Sequence, residues 1–181
     1  MQEMILEFNR ILGELRIAYA IAGAVAASIW GRPRYTSDYD VVIFVQPERA
    51  IEILKAMRHT RFRVAPSYYT RLREGRTTKV RFGKFSVDLI LARTPYHGLL
   101  LERSTLVTLY SQRIRVISKE DAIVTKLKRF EPQDIIDIEG ILIRQRGKLD
   151  LDYIYSASAM IPVPETHLAE FGRLVDTYYL A

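Results

Sequence analysis

Cysteine is absent from the 181 residues, which excludes disulfides, zinc–thiolate sites and thiol nucleophiles. Histidine is scarce: His59, His97 and His167 stand apart in the chain, so none is assigned a metal or catalytic role. No apolar run reaches the ~18 residues of a membrane-spanning helix, which argues against one. The opening stretch, MQEMILEFNRILGEL, lacks a basic n-region and alternates charged with apolar residues at helical spacing. It reads as an amphipathic helix and not a signal peptide, so a cytoplasmic protein with no membrane partner is expected.

Apolar residues make up 49% of the chain, enough for a sizeable core, and no low-complexity stretch or internal repeat interrupts it. The net charge of +6 is concentrated. Between Arg61 and Lys84 lie eight basic residues, Arg61, Arg63, Arg71, Arg73, Arg76, Lys79, Arg81 and Lys84, against one acid, Glu74. Such a segment is either a solvated hairpin face or a surface for a polyanion. Tyr68 and Tyr69 lie inside it, and aromatics among arginines suit base stacking and phosphate pairing. RNA contact is therefore assigned to Arg61, Arg63, Tyr68, Tyr69, Arg71, Arg73 and Arg76.

Periodicity divides the chain into a mixed α/β part, residues 1–117, and a helical part, residues 118–181. Helices are expected over 1–15, from Gly23 to near Gly31, and over 48–59. Strands are expected over 17–22, 39–45 and 62–65. Residues 66–76 read as either helix or hairpin tip, and 77–82 with 85–92 as a hairpin around Gly83-Lys84. After a short helix in 94–101 and strands over 105–109 and 114–117, Ser118 caps the first of four helices, 119–129, 133–145, 151–160 and 165–179.

The chemistry gathers in Tyr19–Phe44, YAIAGAVAASIWGRPRYTSDYDVVIF. Asp38 and Asp40 open a β-branched strand, and alternation points both side chains to one face. Two carboxylates so close repel each other, and a hard divalent cation relieves them. A third acid, Asp88, lies within the apolar strand FSVDLIL, where an unpaired charge is costly. Either an arginine partners it, or it joins Asp38 and Asp40 at a metal; beside an Asp-x-Asp strand the metal reading is preferred.

The ordered set of Gly23-Ala24, thirteen residues, Asp38-Tyr39-Asp40 and a later lone Asp88 resembles the polymerase-β-type nucleotidyltransferase superfamily. More narrowly, Arg34-Tyr35-Thr36-Ser37-Asp38-Tyr39-Asp40 resembles the Arg-x-Thr-x-Asp-x-Asp signature of AbiEii-like and related small bacterial and archaeal nucleotidyltransferases. Lys126 followed by Asp134-Ile135-Ile136-Asp137 is similar to their later helical motif. The likeness spans roughly residues 17–155. One position departs from it: Ala24 stands where the superfamily has Gly or Ser, keeping the close backbone approach to phosphate but losing a hydroxyl.

The resemblance implies a mixed sheet flanked by helices, with a helical C-terminal part closing a cleft. It implies Mg²⁺ or Mn²⁺ on Asp38, Asp40 and Asp88, with an NTP as substrate. The turn at Gly23 and Ala24, together with Arg34, Thr36, Ser37, Lys126, Asp134 and Asp137, would serve the nucleotide. Lys126 with Asp134 and Asp137 reads equally as a surface ion-pair network on adjacent helices. The expected activity is transfer of a nucleoside monophosphate to a hydroxyl acceptor, with tRNA or other RNA favoured. Since relatives include toxins of toxin–antitoxin pairs, an antitoxin protein is an implied partner. The alternatives are a small-molecule or protein acceptor, or a non-catalytic nucleotide- or RNA-binding module of the same fold.

Overall fold

The structure, a computed structural model, describes residues 1–180. The chain falls into two compact units, one of residues 1–22 and 36–116, the other of residues 23–35 and 117–181.

The first unit is built on a six-stranded sheet of β1 (Tyr19–Ile21), β2 (Asp38–Ile43), β3 (Thr78–Phe82), β4 (Phe85–Leu91), β5 (Thr105–Leu109) and β6 (Gln112–Val116). Their spatial order is β3-β4-β2-β1-β6-β5. The β3–β4 and β5–β6 pairs are antiparallel hairpins, β1–β2 is antiparallel, and β2–β4 and β1–β6 are parallel. A mixed sheet with helices is the expected architecture. Helices α1 (Gln2–Glu14), α3 (Pro47–Met57), α4 (Pro66–Arg73) and α5 (Pro95–Glu102) belong to this unit.

Alternation divides β2 into two faces. Tyr39, Val41 and Ile43 are fully buried, and Phe8 of α1 meets the Tyr39 ring edge-on at 6.3 Å. Phe62 joins this cluster against Phe8 and Phe82. The opposite face of the same strand carries Asp38 and Asp40, both half-buried. One buried apolar face thus fixes where the acids point, because a one-residue slip would drive both carboxylates into the core.

The strand expected over 62–65 is reduced to a single bridge, Arg63 to Arg81. Pro66 at the first turn of α4 pre-sets that helix and ends any pairing, so residues 66–73 resolve as helix and not as a hairpin tip.

The second unit is helical: α2 (Gly23–Trp30), α6 (Lys119–Leu127), α7 (Pro132–Arg144), α8 (Leu151–Ser158) and α9 (Glu165–Val175), the last running into a π-turn at Asp176–Leu180. Ser118 caps α6 as expected, its hydroxyl accepting from the Asp121 N–H at 3.0 Å. Backbones approach closely where α2 ends. A Cβ on Gly31 would lie 2.7 Å from the Ile141 nitrogen, and one on Gly140 would lie 3.0 Å from the Arg32 nitrogen. Among the described residues no helix is long and apolar enough to cross a membrane.

Candidate functional site

The first unit gathers the three acids. Parallel pairing of β2 with β4 sets Asp40 beside Asp88 and Asp38 beside Ser86 in register. Side chains directly across a strand pair share a face, so Asp38, Asp40, Ser86 and Asp88 form one polar patch.

Each acid has its own environment. Asp38 accepts from the Ser86 hydroxyl at 2.6 Å and from Lys79 Nζ at 3.0 Å. The Ser86 bond, helped by Lys79, holds its carboxyl below the usual carboxylate range against the opposing effect of burial. Asp88 shows the reverse balance. Burial pushes it above that range, and Lys79, 3.4 Å from its Oδ2, only partly offsets the shift. Its other oxygen, Oδ1, is buried with no hydrogen-bond partner.

Thr36 and Ser37 secure the entry to β2. The Asp38 N–H donates to Thr36 Oγ1 at 3.2 Å, and the Ser86 N–H donates to the Ser37 carbonyl at 3.0 Å. Their observed work is to hold the acid-bearing strand in register.

Among the described residues no three His, Asp or Glu side chains form a ready-made cage for an ion. The Lys79 ammonium instead bridges Asp38 and Asp88. The donor set nevertheless suits a hard dication: every ligand is a carboxylate oxygen, and one of them, Asp88 Oδ1, is buried and unsatisfied. Asp38, Asp40 and Asp88 are the residues that would hold it.

The second unit carries the remaining residues expected to serve the nucleotide. Gly23 follows β1 after a single residue and opens α2 with φ of +60°, a conformation costly for any side chain. Ala24 is half-buried in the first turn of that helix. Arg34 grips Asp137 with two parallel bonds, Nε to Oδ1 at 2.8 Å and Nη2 to Oδ2 at 2.9 Å. Lys126 Nζ lies 2.6 Å from Asp137 Oδ2 and 2.9 Å from Asp134 Oδ1.

The side chains of Lys126, Asp134 and Asp137 are only 8%, 7% and 3% exposed, so this network is buried. Burial alone would raise the Asp137 carboxyl, but the Arg34 and Lys126 bonds overcome it and hold it below the usual range. The Asp137 bond in turn raises Arg34. The two acids orient the two cations, and Arg34 remains partly exposed at 29%.

The predicted RNA-contact residues lie in the first unit with mixed engagement. Arg61, Arg63, Arg71, Arg73 and Arg76 are exposed, and Tyr68 and Tyr69 are half-buried. Arg61 pairs with Glu3 and Arg76 with Glu74, while Arg71 donates to the Thr77 carbonyl. Tyr69 directs its hydroxyl inward, where the oxygen has no partner.

Two contributors that no motif singles out are Lys79, which sits within the charge run, and Ser86. The signal for both was present. A two-residue turn at Gly83-Lys84 pairs Phe82 with Phe85 and, counting outward, Arg81 with Ser86 and Lys79 with Asp88.

No family profile matches the chain, and no curated protein matches it. Solved structures do. A nucleotidyltransferase-like protein from Paracoccidioides brasiliensis, described as antigenic, aligns over 98% of this chain and 89% of its own, with a TM-score of 0.61 and 20% identity. This chain has the nucleotidyltransferase-like fold. The antibiotic-resistance factor ANT(2'')-Ia in solution aligns over 95% of this chain and 96% of its own, at TM-score 0.59 and 14% identity. A crystal structure of ANT(2'')-Ia in complex with adenylyl-2''-tobramycin aligns over 94% and 98%, at TM-score 0.59 and 12% identity.

Proposed function

We propose that the protein is a metal-dependent nucleotidyltransferase, moving a nucleoside monophosphate from an NTP to a hydroxyl acceptor. One observation carries the reading. Three aspartates from two strands share a face in register, and one of their oxygens is buried and unpaired. A carboxylate left so exposed to its own desolvation cost marks a site shaped for a ligand.

Mg²⁺ or Mn²⁺ held by Asp38, Asp40 and Asp88 would supply positive charge to the triphosphate. In the transfer, the acceptor oxygen bonds to the α-phosphorus, the α–β phosphoanhydride bond breaks and pyrophosphate leaves. Asp88, beside the metal it helps to hold, would help activate the acceptor hydroxyl and take its proton. Backbone N–H groups at the Gly23 and Ala24 helix start would bind phosphate oxygens. Arg34, gripped by Asp137 and still partly exposed, would neutralise charge on the departing phosphates, and the buried Lys126 would hold the two acids in place.

The Arg34–Asp40 signature supports a place among AbiEii-like enzymes and, with the exposed arginines of 61–76, favours tRNA or other RNA as acceptor. A second reading, a small-molecule hydroxyl, is supported by the end-to-end fold likeness to ANT(2'')-Ia, captured with adenylyl-2''-tobramycin.

The test is transfer of label from each α-labelled NTP, with Mg²⁺, to total tRNA, to tobramycin and to the protein itself, with Asp38→Ala as blank. Label on tRNA supports the first acceptor and label on tobramycin the second. Absence of label above the blank with NTP bound would leave a binding module. A toxin role requires that expression of the wild type, but not of Asp38→Ala, arrest growth, and that a partner protein relieve the arrest.

A further inference from the structure

Strand β3 reads Thr78-Lys79-Val80-Arg81-Phe82, with Thr78, Val80 and Phe82 buried and both cations on the other side. Register places Lys79 across from Asp88 and Arg81 across from Ser86, so the cationic side of β3 is the side that bears the carboxylates. Lysine on an edge strand commonly guards that edge by projecting into water. Lys79 does something else. Its ammonium passes over β4 to reach Asp38 on β2 at 3.0 Å, two strands away and about 9.5 Å in strand spacing. It holds one oxygen of Asp38 and lies 3.4 Å from one oxygen of Asp88.

We propose that Lys79 is an internal counterion that occupies the cation position of the metal-free protein and is ejected when the dication binds. The inference rests on the metal reading given above. A single ammonium satisfies only part of this site. Asp88 Oδ1 stays buried and unpaired beside it, and an ammonium offers one charge where a metal ion offers two. Lys79 is also half in water, with 48% of its side chain exposed, so release into solvent costs it little. Arg81, one row along, acts on Asp38 through space without bridging the two acids. Lys79 therefore lowers the repulsion among the clustered acids of the metal-free protein at the expense of metal affinity, two effects of opposite sign from one side chain.

Mn²⁺ binding to the full chain, followed by calorimetry and by the paramagnetic signal of the free ion, separates them. Lys79→Met is expected to bind Mn²⁺ about fivefold more tightly than the wild type, the size of effect that removing one or two exposed ion pairs allows. The same variant is expected to melt at a lower temperature without metal, so that its gain on adding Mn²⁺ is larger. Lys79→Arg, which keeps the charge, should bind Mn²⁺ no more tightly than the wild type, and Arg81→Met should shift affinity less than Lys79→Met. If Lys79→Met does not fold, Lys79→Gln carries the same expectation. Unchanged or weaker Mn²⁺ binding in a folded Lys79→Met or Lys79→Gln would overturn the proposal and make Lys79 a structural residue. No Mn²⁺ uptake by the wild type would instead overturn the metal reading itself, and this inference with it.

Discussion

Asp137 and Asp88 are both carboxylates withdrawn from water, yet their surroundings push them in opposite directions. Asp137 has two cations and a lowered proton affinity, so its contribution to stability is present above the unfolded carboxylate value, about 3.9, and is lost as pH falls through its lower folded value. Lys126→Met strips one cation from a pair whose side chains are under a tenth exposed, and should cost about 3–5 kcal/mol in urea unfolding at neutral pH. That loss should shrink on acidification, once Asp137 takes up a proton. Asp88 behaves in reverse: its raised value means that ionisation costs stability as pH rises through it. Asp88→Asn should therefore melt about 2–5 °C higher than the wild type without metal and gain nothing from Mg²⁺, as thermal scans with and without the ion would show. An acid that destabilises its own fold is the signature expected of a site built for a ligand.

At the scale of elements, the strand that bears Asp38 and Asp40 was legible because its period of two survives in the letters, and the β3–β4 hairpin because Gly83 marks its turn. That residues 62–65 keep only the bridge at Arg63 was harder to foresee, since such a stretch looks the same whether or not a neighbouring proline ends the pairing. Close packing at the end of α2 is set by its partner, the backbone of α7. Gly31→Ala would drive a methyl to 2.7 Å from the Ile141 backbone nitrogen, and backbone cannot step aside as a side chain would. Loss of about 1–3 kcal/mol is expected in denaturant unfolding, with a comparable loss of about 1–2 kcal/mol for Gly23→Ala at its positive φ.

At the scale of the whole molecule, the charge asymmetry makes the RNA reading testable apart from catalysis. Arg63, Arg73 and Arg76 are exposed, and none touches the three aspartates. Replacing all three by glutamine should leave the melting temperature nearly unchanged. It should also weaken tRNA binding about tenfold or more at low salt and flatten its salt dependence, as a filter-binding titration at several salt concentrations would report. If RNA is the acceptor, labelling of tRNA should fall in parallel while NTP binding holds. Equal labelling before and after the change would move the acceptor reading to a small molecule.

The letters alone determined that Asp38 and Asp40 share a face, that Gly23 opens a helix, that Ser118 caps another and that the basic charge is concentrated in one segment. These are properties of neighbours in sequence, set by strand alternation, backbone freedom and composition. Tertiary structure decided that Asp40 faces Asp88, through a parallel pairing of strands separated by two helices and a hairpin arm. It also decided that Arg34 closes on Asp137, 103 residues away, and that a lysine from the sheet edge reaches across β4 to Asp38. Contacts of that kind depend on which strands pair and in what register. That choice is made by burying the apolar faces of the sheet all at once, and no local stretch of the chain encodes it.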